Sequence, residues 1–528
     1  MVCMKTCLPL MLASAMNKTT TLFLSAVLLL FMSHAVQATS EPLHRGVGPE
    51  PDALDIHLAQ SLSAFNVLRD LHEGLLTFDA EGQLIPGLAQ HWTVDITGRL
   101  WTFELNPDAK WSDGSPIEAS DFVAGWQRAI DPMTGSPTAG LLEPVKNAAA
   151  IRRGELPPDA LGVEALDRHT LMVTLEQPTP WFEELLTHPV MAPWPGEAPR
   201  FSGAYRLAER LPGAHMRLEK NTHHHQASDV AIEEVYWHVI EEPNVELARF
   251  RADQLHITET IPPGRVEWLR NEVGDALRIA PYLGTFFLAY NVARPPFADQ
   301  PELREALSLV IDRSLLTTRV LGAGEVPAYA LVPPSLPGWG ASAPQWASEP
   351  MDQRIARAQS LYEAAGYSED KPLVVELRYN TSLTHRRMAA AVGAMWKEHL
   401  GVQTRLVNEE WKVFVANRRQ GRITQVIRGG WIGDWQDPAN FLQLFISDSP
   451  LNYTFWSNPS FDALMSQSAG QAGAERMATL KEAEALLLNQ HVIIPLYYYV
   501  SRHLVKPEVK GYENNLMDIH LTRWLALE

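Results

Sequence analysis

The sequence KPLVVELRYNTSLTHRRMAAAVGAMWKEHLGVQTRLV, residues 371–407, alternates strand and helix patterns within one short segment. Residues 373–379 are rich in β-branched and aromatic side chains, which is typical of a strand. Residues 385–400 contain many strong helix formers and are followed by Gly401, where a helix is expected to end. Residues 402–407 return to a strand pattern. The segment therefore predicts an α/β unit.

The same alternation continues on both sides of this unit. Towards the N-terminus, residues 100–105 (LWTFEL) alternate as a half-buried strand, and a helix is predicted over 120–130 with Ser120 as its cap. Towards the C-terminus, a helix predicted over 475–489 precedes an apolar strand over 492–500. No internal repeat is visible. These patterns predict a large, multi-lobed α/β (α+β) protein.

Composition places the chain among globular proteins. It has 528 residues, of which 46% are hydrophobic and 20% are charged, a balance that excludes a disordered chain. At about 150 residues per domain, this length predicts two to four domains. The formal net charge is −18, from 44 basic and 62 acidic residues. Binding of nucleic acid through general positive charge needs clustered Lys and Arg. An acidic chain such as this one is therefore not expected to bind nucleic acid in that way.

Residues 1–38 have the organisation of a secretory signal peptide. Lys18 precedes the apolar run 21–32, which is too short to span a bilayer. Val36 and Ala38 then occupy the small-residue positions of a signal-peptidase site. An anchoring helix is the alternative for this run. We predict that the signal is cleaved after Ala38 and that the protein is exported.

Cysteine usage agrees with a soluble exported protein. Both cysteines, Cys3 and Cys7, lie within the predicted signal, so the mature chain is expected to contain no disulfide and no reactive thiol. No cysteine stands at the cleavage site to carry a lipid, so we expect no lipid anchor. Met16 reads as a natural start, which leaves the choice between Met1 and Met16 open.

Motifs for catalysis are missing from the sequence. It has no G-x-S-x-G, Walker A, G-x-G-x-x-G or H-E-x-x-H pattern, so we expect no enzymatic activity and no cofactor. His223, His224 and His225 could supply imidazole ligands, but three consecutive histidines in a polar loop cannot all converge on one ion. We therefore expect no metal site. A binder of a metal chelate and a secreted hydrolase stay open as alternatives.

Several longer motifs resemble those of one known family, in the same order along the chain. They are NVLRDLHEGL at 66–75, AKWSDGSP at 109–116, PELREALSLVID at 301–312, YNTSLTH at 379–385, GWIGD at 430–434 and LVKPEVKG at 504–511. The chain resembles the peptide-binding, family-5 (cluster C) solute-binding proteins of bacterial ABC importers. The resemblance covers essentially the whole predicted mature chain.

This resemblance implies a type II periplasmic-binding-protein-like fold with two lobes, a hinge and an extra third domain. Lobe I would combine residues 39–72, 197–284 and 499–528, the extra domain would be 73–196, and lobe III would be 285–498. Crossovers near 281–286 and 497–499 would join the lobes. The ligand would be enclosed when the lobes close.

The resemblance also implies roles for individual residues. Asp434, three residues after the Gly-Trp pair, matches the aspartate that holds the α-ammonium of a peptide in this family. A charged amine that is buried by closure needs such a counter-charge. Arg428 and His385 match residues that contact the ligand's carboxylate. Further ligand contacts are implied for Arg418 or Arg419, which would serve other peptide lengths, and for Trp411, Trp431, Tyr290 and Asn291, which would line side-chain pockets.

By resemblance, the chain is the substrate-binding component of a peptide ABC importer. It would act as a monomer that captures short peptides and delivers them to an inner-membrane permease and its ATPase subunits. Murein peptides, a metal chelate or another non-peptide solute remain alternatives, because a fold alone does not define a ligand. The departures from the family near the ligand are the absent paired cysteines, with Ile432 at one of those positions, Gln60 in place of an acidic residue, and WQDP at 435–438 in place of YNEP.

Overall fold

The computed structural model describes residues 41–196 and 198–528. The predicted signal peptide, residues 1–38, and both cysteines lie outside the described residues, so the predictions made for them remain predictions. Within the described part of the chain, no helix is both long enough and apolar enough to cross a membrane.

Within residues 41–196 and 198–528, the strands form three larger sheets and two short pairs. The first sheet has the order Leu43–Gly48, Glu234–Val239, His215–Lys220 and Tyr205–Leu211. The second has the order Ala89–Val94, Leu100–Leu105, Thr170–Thr174 and Val163–Ala165. The third has the order Val326–Pro327, Ile493–Leu504, Leu277–Tyr290, Val426–Ile432, Val374–Asn380 and Gln403–Glu409. The short pairs join Leu76–Phe78 to Leu84–Pro86 and Val509–Lys510 to Ala526–Leu527.

Helices alternate with these strands along the chain. The longer α-helices are Leu62–Leu71, Ala119–Ile130, Pro243–Arg251, Val266–Val273, Pro301–Leu309, Met351–Ala364, Leu383–Leu400, Trp411–Arg419, Pro459–Ala469 and Gly473–Asn489. Shorter ones are Ala148–Arg152, Phe182–Leu185, Arg313–Leu315 and Ala439–Leu442, and a π-helical turn covers Leu316–Leu321. This alternation confirms the predicted mixture of helices and sheets.

The segment quoted first folds as its pattern predicts. Its strands Val374–Asn380 and Gln403–Glu409 pair in parallel, and the helix Leu383–Leu400 connects them. The Ser382 side chain accepts a backbone N–H at the start of this helix, which satisfies one of the free amides there. Gly401 ends the helix in a left-handed conformation, with a φ of 71°, which glycine adopts without strain.

The predicted helix cap at Ser120 is wrong. The helix is Ala119–Ile130, and its N-cap residue is Glu118. The backbone N–H of Glu118 donates to the Asp121 carboxylate at 2.9 Å. An acidic side chain in the first turn can satisfy a free amide at the start of a helix. The helix therefore begins before Ser120 and does not need its hydroxyl.

Buried apolar side chains form separate clusters that follow the sheets. One cluster around the second sheet lies within residues 75–191, and Trp435 packs into it. Two clusters around the third sheet lie within residues 283–497. Another joins the first sheet to the C-terminal segment. The lobe and domain boundaries suggested by the sequence are compatible with these clusters and stay a prediction.

The strands Leu277–Tyr290 and Ile493–Leu504 run side by side through the region predicted for the crossovers. They pair in antiparallel fashion, and their register shifts between Pro281 and Thr285. A break in a ladder allows local bending and twisting of the paired strands. We therefore keep this break as the proposed position of the hinge.

Candidate functional site

The candidate site is built on the strand Val426–Ile432 of the six-stranded sheet. This strand pairs with Leu277–Tyr290 on one side and with Val374–Asn380 on the other. A cavity of about 270 Å³ lies against it. The cavity wall is largely apolar and includes Phe287, Leu444, Phe445 and Leu451. It also contains four of the predicted site residues: Trp411, Arg418, Arg428 and Trp431.

Two glycines in the strand leave room for the side chains around this cavity. On Gly429, an added Cβ would lie 2.3 Å from the ring of Phe287. On Gly430, it would lie 2.8 Å from the hydroxyl of Tyr499. Both separations are shorter than real contacts allow, so glycine is required for this close approach. The pair lets the aromatic rings pack directly on the strand backbone.

Replacing Gly429 with alanine should destabilise the protein by about 1–3 kcal/mol, because the methyl group overpacks against the buried ring of Phe287. Gly470→Ala is the matched control, since its nearest neighbouring atom, the Gln467 carbonyl oxygen, would lie 3.8 Å from the added methyl. Urea unfolding of the two variants measures the difference. Equal stability would contradict the overpacking argument.

Arg428 and His385 both contact the ring of Phe286. The Arg428 guanidinium lies 5.0 Å from the ring centre, and the His385 ring lies 5.5 Å from it. Arg428 also donates to the Tyr499 hydroxyl at 3.4 Å. Burial, followed by the charge of Arg428, lowers the pKa of His385 to about 4. Arg428 therefore supplies the positive charge at neutral pH, and His385 is neutral there.

His385 lies in a second cavity of similar size, about 270 Å³, whose wall also includes Tyr497, Tyr499 and Arg502. Within the described chain, His385 Nδ1 and Arg428 Nε are buried and have no hydrogen-bond partner. The two cavities adjoin where Arg428 contacts Tyr499. These two atoms carry unused hydrogen-bonding capacity beside the cavities.

Asp434 follows the strand and presents an exposed carboxylate. Its carboxylate makes no hydrogen bond or ion pair within residues 41–196 and 198–528. The surrounding protein limits its hydration and raises its pKa to about 6. The group is therefore largely ionised at neutral pH and lacks a counter-charge. Such a carboxylate is well suited to accept an ammonium group.

A buried ion pair holds the loop that follows Asp434. Arg476 donates two hydrogen bonds to the Asp437 carboxylate, at 2.6 and 2.8 Å. In the same loop, the Trp435 ring stacks on Trp181, with ring centres 6.1 Å apart. The position of Asp434 therefore depends on a distant helix and on the predicted extra domain.

The remaining cavity residues are held to different degrees. The Trp431 indole N–H donates to Asn440 at 2.6 Å, whereas the Trp411 side chain is exposed. Arg418 lies over the ring of Tyr453 at 3.9 Å and donates to its hydroxyl at 3.2 Å. Arg418 and Trp431 are thus held by hydrogen bonds, whereas the Trp411 ring stacks on Phe414, with ring centres 6.2 Å apart.

Three predicted site residues do not line either cavity. Arg419 is exposed on the surface of its helix. Tyr290 is fully buried, and its hydroxyl donates to the carbonyl oxygen of Arg304 at 3.1 Å. Asn291 is also buried and donates to the carbonyl oxygen of Ile423 at 3.0 Å. The structure therefore places Tyr290 and Asn291 in the protein core.

The alternation of side chains along a strand explains why Tyr290 lies in the core. It also identifies two cavity residues that the resemblance does not name. Phe287 and Ala289 line the cavity, so Tyr290 points to the opposite face of the same strand. The resemblance names neither Phe287 nor Ala289, although this alternation could have indicated them. Tyr453 and Tyr499 are further contacts that it does not name. For Tyr453 no motif in the sequence marks the position.

The consecutive histidines lie elsewhere, in a buried polar cluster. His224 and His225 both contact one carboxylate oxygen of Glu73 through Nε2, at 3.1 and 2.7 Å. Arg523 donates to the other oxygen of Glu73. His223 is exposed. These three histidines do not line the two cavities, so they give no support to a metal chelate as the ligand.

Comparison with known proteins supports the relationship implied by the motifs. The family model for bacterial extracellular solute-binding proteins, family 5 (middle), matches residues 83–453. The periplasmic oligopeptide-binding protein OppA of Escherichia coli is 37% identical over 492 residues, which cover 90% of this chain and 90% of OppA.

Two solved structures are similar over almost the whole length. The unliganded open form of MppA, a periplasmic murein tripeptide binding protein, has a TM-score of 0.83 and 36% identity, covering 93% of this chain and 98% of MppA. OppA of Haemophilus influenzae in complex with the peptide RPPGFSPFR has a TM-score of 0.76 and 35% identity, covering 92% of this chain and 99% of OppA. These similarities confirm the type II periplasmic-binding-protein fold. The chain belongs to family 5 of the bacterial extracellular solute-binding proteins.

Proposed function

We propose that the protein is the substrate-binding component of a peptide ABC importer. It captures short peptides in the periplasm and delivers them to an inner-membrane permease with its ATPase subunits. It acts as a monomer and catalyses no reaction. The segment 1–38 is removed on export, and no lipid is attached. Family membership and the similarity to oligopeptide-binding relatives support this proposal.

The observation that carries the proposal is a pair of opposite charges along one strand. Asp434 offers a carboxylate without a partner just beyond the strand Val426–Ile432, and Arg428 offers a guanidinium earlier on it. Six residues of extended chain span at most about 20 Å. A peptide with its ammonium on Asp434 and its carboxylate near Arg428 is therefore only a few residues long.

The cavity suits ligands with different side chains. Hydrogen bonds to the main chain of an extended peptide do not depend on its sequence. Trp411, Arg418 and Trp431 line a space of about 270 Å³, which holds a side chain together with water. Water adapts its hydrogen bonds to each side chain, so several sequences can bind with similar affinity.

Peptide binding should reduce the radius of gyration of the protein. A solved relative is described as an unliganded open form, and an open form without ligand is what capture by lobe closure requires. A ligand closes the lobes only if it binds the closed state more tightly. Small-angle scattering with and without a peptide mixture measures the change. An unchanged radius despite binding detected by calorimetry would contradict closure.

Replacing Arg428 with alanine should weaken the binding of only one or two peptide lengths, by about 10- to 100-fold. With the amino end held at Asp434, the carboxylate moves by about 3.3–3.6 Å for each added residue, so it meets the guanidinium at a particular length. We expect the affected lengths to lie among tri- to pentapeptides. Calorimetric titration with alanine peptides of about two to six residues measures the pattern.

The matched control is Arg405→Ala, which removes an exposed arginine from the strand Gln403–Glu409 of the same sheet. It changes the net charge by the same amount and should leave all lengths bound as before. A uniform loss across the lengths in Arg428→Ala, or no loss, would show that Arg428 does not contact the ligand carboxylate.

A murein tripeptide is the second candidate ligand, because the chain is similar to a murein tripeptide binding protein over 93% of its length. Mass spectrometry of the molecules that co-purify with the protein separates the candidates. A mixture of peptides supports the broad specificity proposed here, and one cell-wall tripeptide supports the second candidate. A metal chelate or another non-peptide solute would contradict both.

A further inference from the structure

A guanidinium without a counter-charge lies in the part of the chain predicted as lobe I. Arg69 belongs to the helix Leu62–Leu71, and its Nε and Nη1 atoms are buried. The side chain makes no hydrogen bond or ion pair within the described ranges 41–196 and 198–528. Burial lowers the pKa of Arg69 to about 10, so the group is still charged at neutral pH. A buried charge without a partner is costly, and an anion would relieve that cost.

Arg69 lines a small cavity, named here the Arg69 cavity. Its volume is about 20 Å³, which holds one small polar group of the size of a water molecule. Leu62 and Asn66 line it from the same face of the helix, since they are spaced four and three residues apart from one another and from Arg69. Leu62 is 51% exposed, so this side of the cavity faces solvent. A group that arrives from outside can therefore reach the guanidinium.

Two other cations in the wall of the Arg69 cavity have partners of opposite sign. Arg45 donates to the Thr522 hydroxyl at 3.0 Å, and this hydroxyl donates to the Asp70 carboxylate at 2.5 Å. His503 Nε2 is 2.9 Å from the Asp518 carboxylate. Although burial lowers the pKa of His503, Asp518 raises it to about 9, so the two form an ion pair. Neither arrangement leaves a free carboxylate for Arg69.

The remaining titratable groups in the wall are uncharged at neutral pH. Burial raises the pKa of Glu259 to about 8, so its carboxyl group is largely protonated and does not offset Arg69. A protonated carboxyl group can instead donate a hydrogen bond to an anion. Burial lowers the pKa of His520, whose ring is therefore neutral. The Arg69 cavity thus carries one uncompensated positive charge.

Backbone hydrogen bonds place this cavity close to Asp434. Leu283 of the strand Leu277–Tyr290 connects the two. Its N–H donates to the carbonyl oxygen of Leu516 at 2.8 Å, two residues before Asp518 in the cavity wall. Its carbonyl oxygen accepts the N–H of Gly433 at 2.7 Å, immediately before Asp434. A single residue therefore separates the C-terminal wall of the cavity from the segment that carries Asp434.

The phenol of Tyr282, next to Leu283, lies within the influence of both charges. Burial raises its pKa, the carboxylates of Asp518, Glu259 and Asp434 raise it further, and Arg69 lowers it. Interactions between charges weaken with distance, so these groups surround one side chain. The free carboxylate and the free guanidinium are thus neighbours in the fold.

We propose that Arg69 binds the carboxylate of an acidic side chain at the first or second residue of the peptide. This inference rests on the proposed function. Successive side chains of an extended peptide point to opposite sides, so one of the first two points towards the Arg69 cavity when the ammonium is held by Asp434. A guanidinium can form two parallel hydrogen bonds with a carboxylate. The small cavity admits the tip of such a side chain.

The test is calorimetric titration of the exported full-length protein with matched tripeptides. Glu-Ala-Ala is compared with Gln-Ala-Ala, and Ala-Glu-Ala with Ala-Gln-Ala, because glutamine has the shape of glutamate without its charge. At one of the two positions, the glutamate peptide should bind about tenfold more tightly than the glutamine peptide. Arg69→Gln should reduce this ratio to about one.

Two substitutions serve as controls. Arg270→Gln removes an exposed arginine from the helix Val266–Val273 of the same predicted lobe, and it changes the net charge by the same amount. Glu259→Gln replaces a protonated carboxyl group with a neutral amide of the same shape. Both should retain the tenfold ratio. Circular dichroism checks the fold of each variant, and Arg69→Met replaces Arg69→Gln if the latter unfolds.

Equal affinity for the glutamate and glutamine peptides at both positions would overturn the proposal, and so would an unchanged ratio in Arg69→Gln. A preference for glutamate that appears only in Glu259→Gln would show that Glu259 is the counter-charge of Arg69, which also overturns it. Acetate is titrated alone as well. Acetate bound through Arg69, together with equal peptide affinities, would make a free anion the occupant and the proposal wrong.

Trialanine separates this inference from the function on which it rests. If trialanine does not bind the wild-type protein, the proposed peptide-binding function fails together with the acidic subsite. If trialanine binds and the glutamate peptides show no preference, only the role of Arg69 fails.

Discussion

Replacing Asp434 with alanine should weaken peptide binding by more than a hundredfold and leave the fold intact. Lobe closure would bury the ligand's ammonium, and removal of its partner leaves that charge uncompensated, at a cost of about 3–5 kcal/mol. At about 1.4 kcal/mol for each factor of ten, the loss exceeds two orders of magnitude. The fold should survive because the Asp434 carboxylate has no partner within the described residues. Calorimetry with an alanine tripeptide measures the change.

Two comparisons test whether the loss of affinity comes from the Asp434 charge itself and not from the removal of any carboxylate. Asp370→Ala removes an exposed carboxylate before the strand Val374–Asn380, outside both cavities, and should leave affinity unchanged. N-acetylated peptides lack the ammonium and should bind the wild-type protein poorly. If acetylation left the affinity unchanged, Asp434 would not be the partner of the ammonium.

The same carboxylate should make peptide affinity depend on pH. The pKa of Asp434 is about 6 in the free protein, whereas a peptide's amino group stays protonated up to about pH 8. Only the ionised carboxylate attracts the ammonium, so protonation of Asp434 competes with binding as the pH falls through 6. Affinity should be about tenfold lower at about pH 5 than at about pH 7. Asp434→Asn should abolish this dependence, and a flat wild-type profile would contradict it.

Replacing Arg476 with alanine should destabilise the protein by about 3–5 kcal/mol. The side chains of Arg476 and Asp437 are only 4% and 11% exposed, and two hydrogen bonds join them. Without the arginine, a buried carboxylate is left without a counter-charge, which is the costly way to break such a pair. Urea unfolding measures the loss. Peptide affinity should fall as well, because Asp434 lies at the start of the same loop.

The Arg153–Glu155 pair is the matched control. It is also bidentate, at 2.7 and 2.8 Å, but its side chains are 60% and 55% exposed. Arg153→Ala should therefore leave the stability almost unchanged. Combining Arg476→Ala with Asp437→Ala should destabilise less than the sum of the two, since no unpaired charge remains. Equal effects of the two arginine substitutions would contradict the role assigned to burial.

Individual helices and strands could be predicted because the residue patterns that specify them involve near neighbours in the chain. The strands Leu100–Leu105 and Val374–Asn380 and the helix Leu383–Leu400 lie close to their predicted bounds. The cap predicted at Ser120 fails because two acidic neighbours satisfy the start of the helix instead. A residue pattern does not show which of several polar side chains takes the free amide.

Cavity residues that lie in or beside a motif could be located from the sequence, including His385, Trp411 and Arg418 on other segments, and those outside any motif could not. GWIGD indicates Asp434, and fixed spacing along the same strand indicates Arg428. Tyr290 is expected to line a pocket, yet it lies in the core, because the outer packing of the sheet determines which face of a strand meets the cavity. Tyr453 reaches the cavity from a loop that no motif marks.

The sequence by itself indicated the family, several of the helices and strands, and Asp434 and Arg428 as candidate ligand contacts. Only the tertiary structure decided which charged groups have partners. Asp437 is paired with Arg476, 39 residues away in the sequence, whereas Asp434 has no such partner within the described chain. The physical reason is that helix and strand patterns depend on near neighbours in the chain. The burial and pairing of a charge depend on segments that meet only in the folded protein.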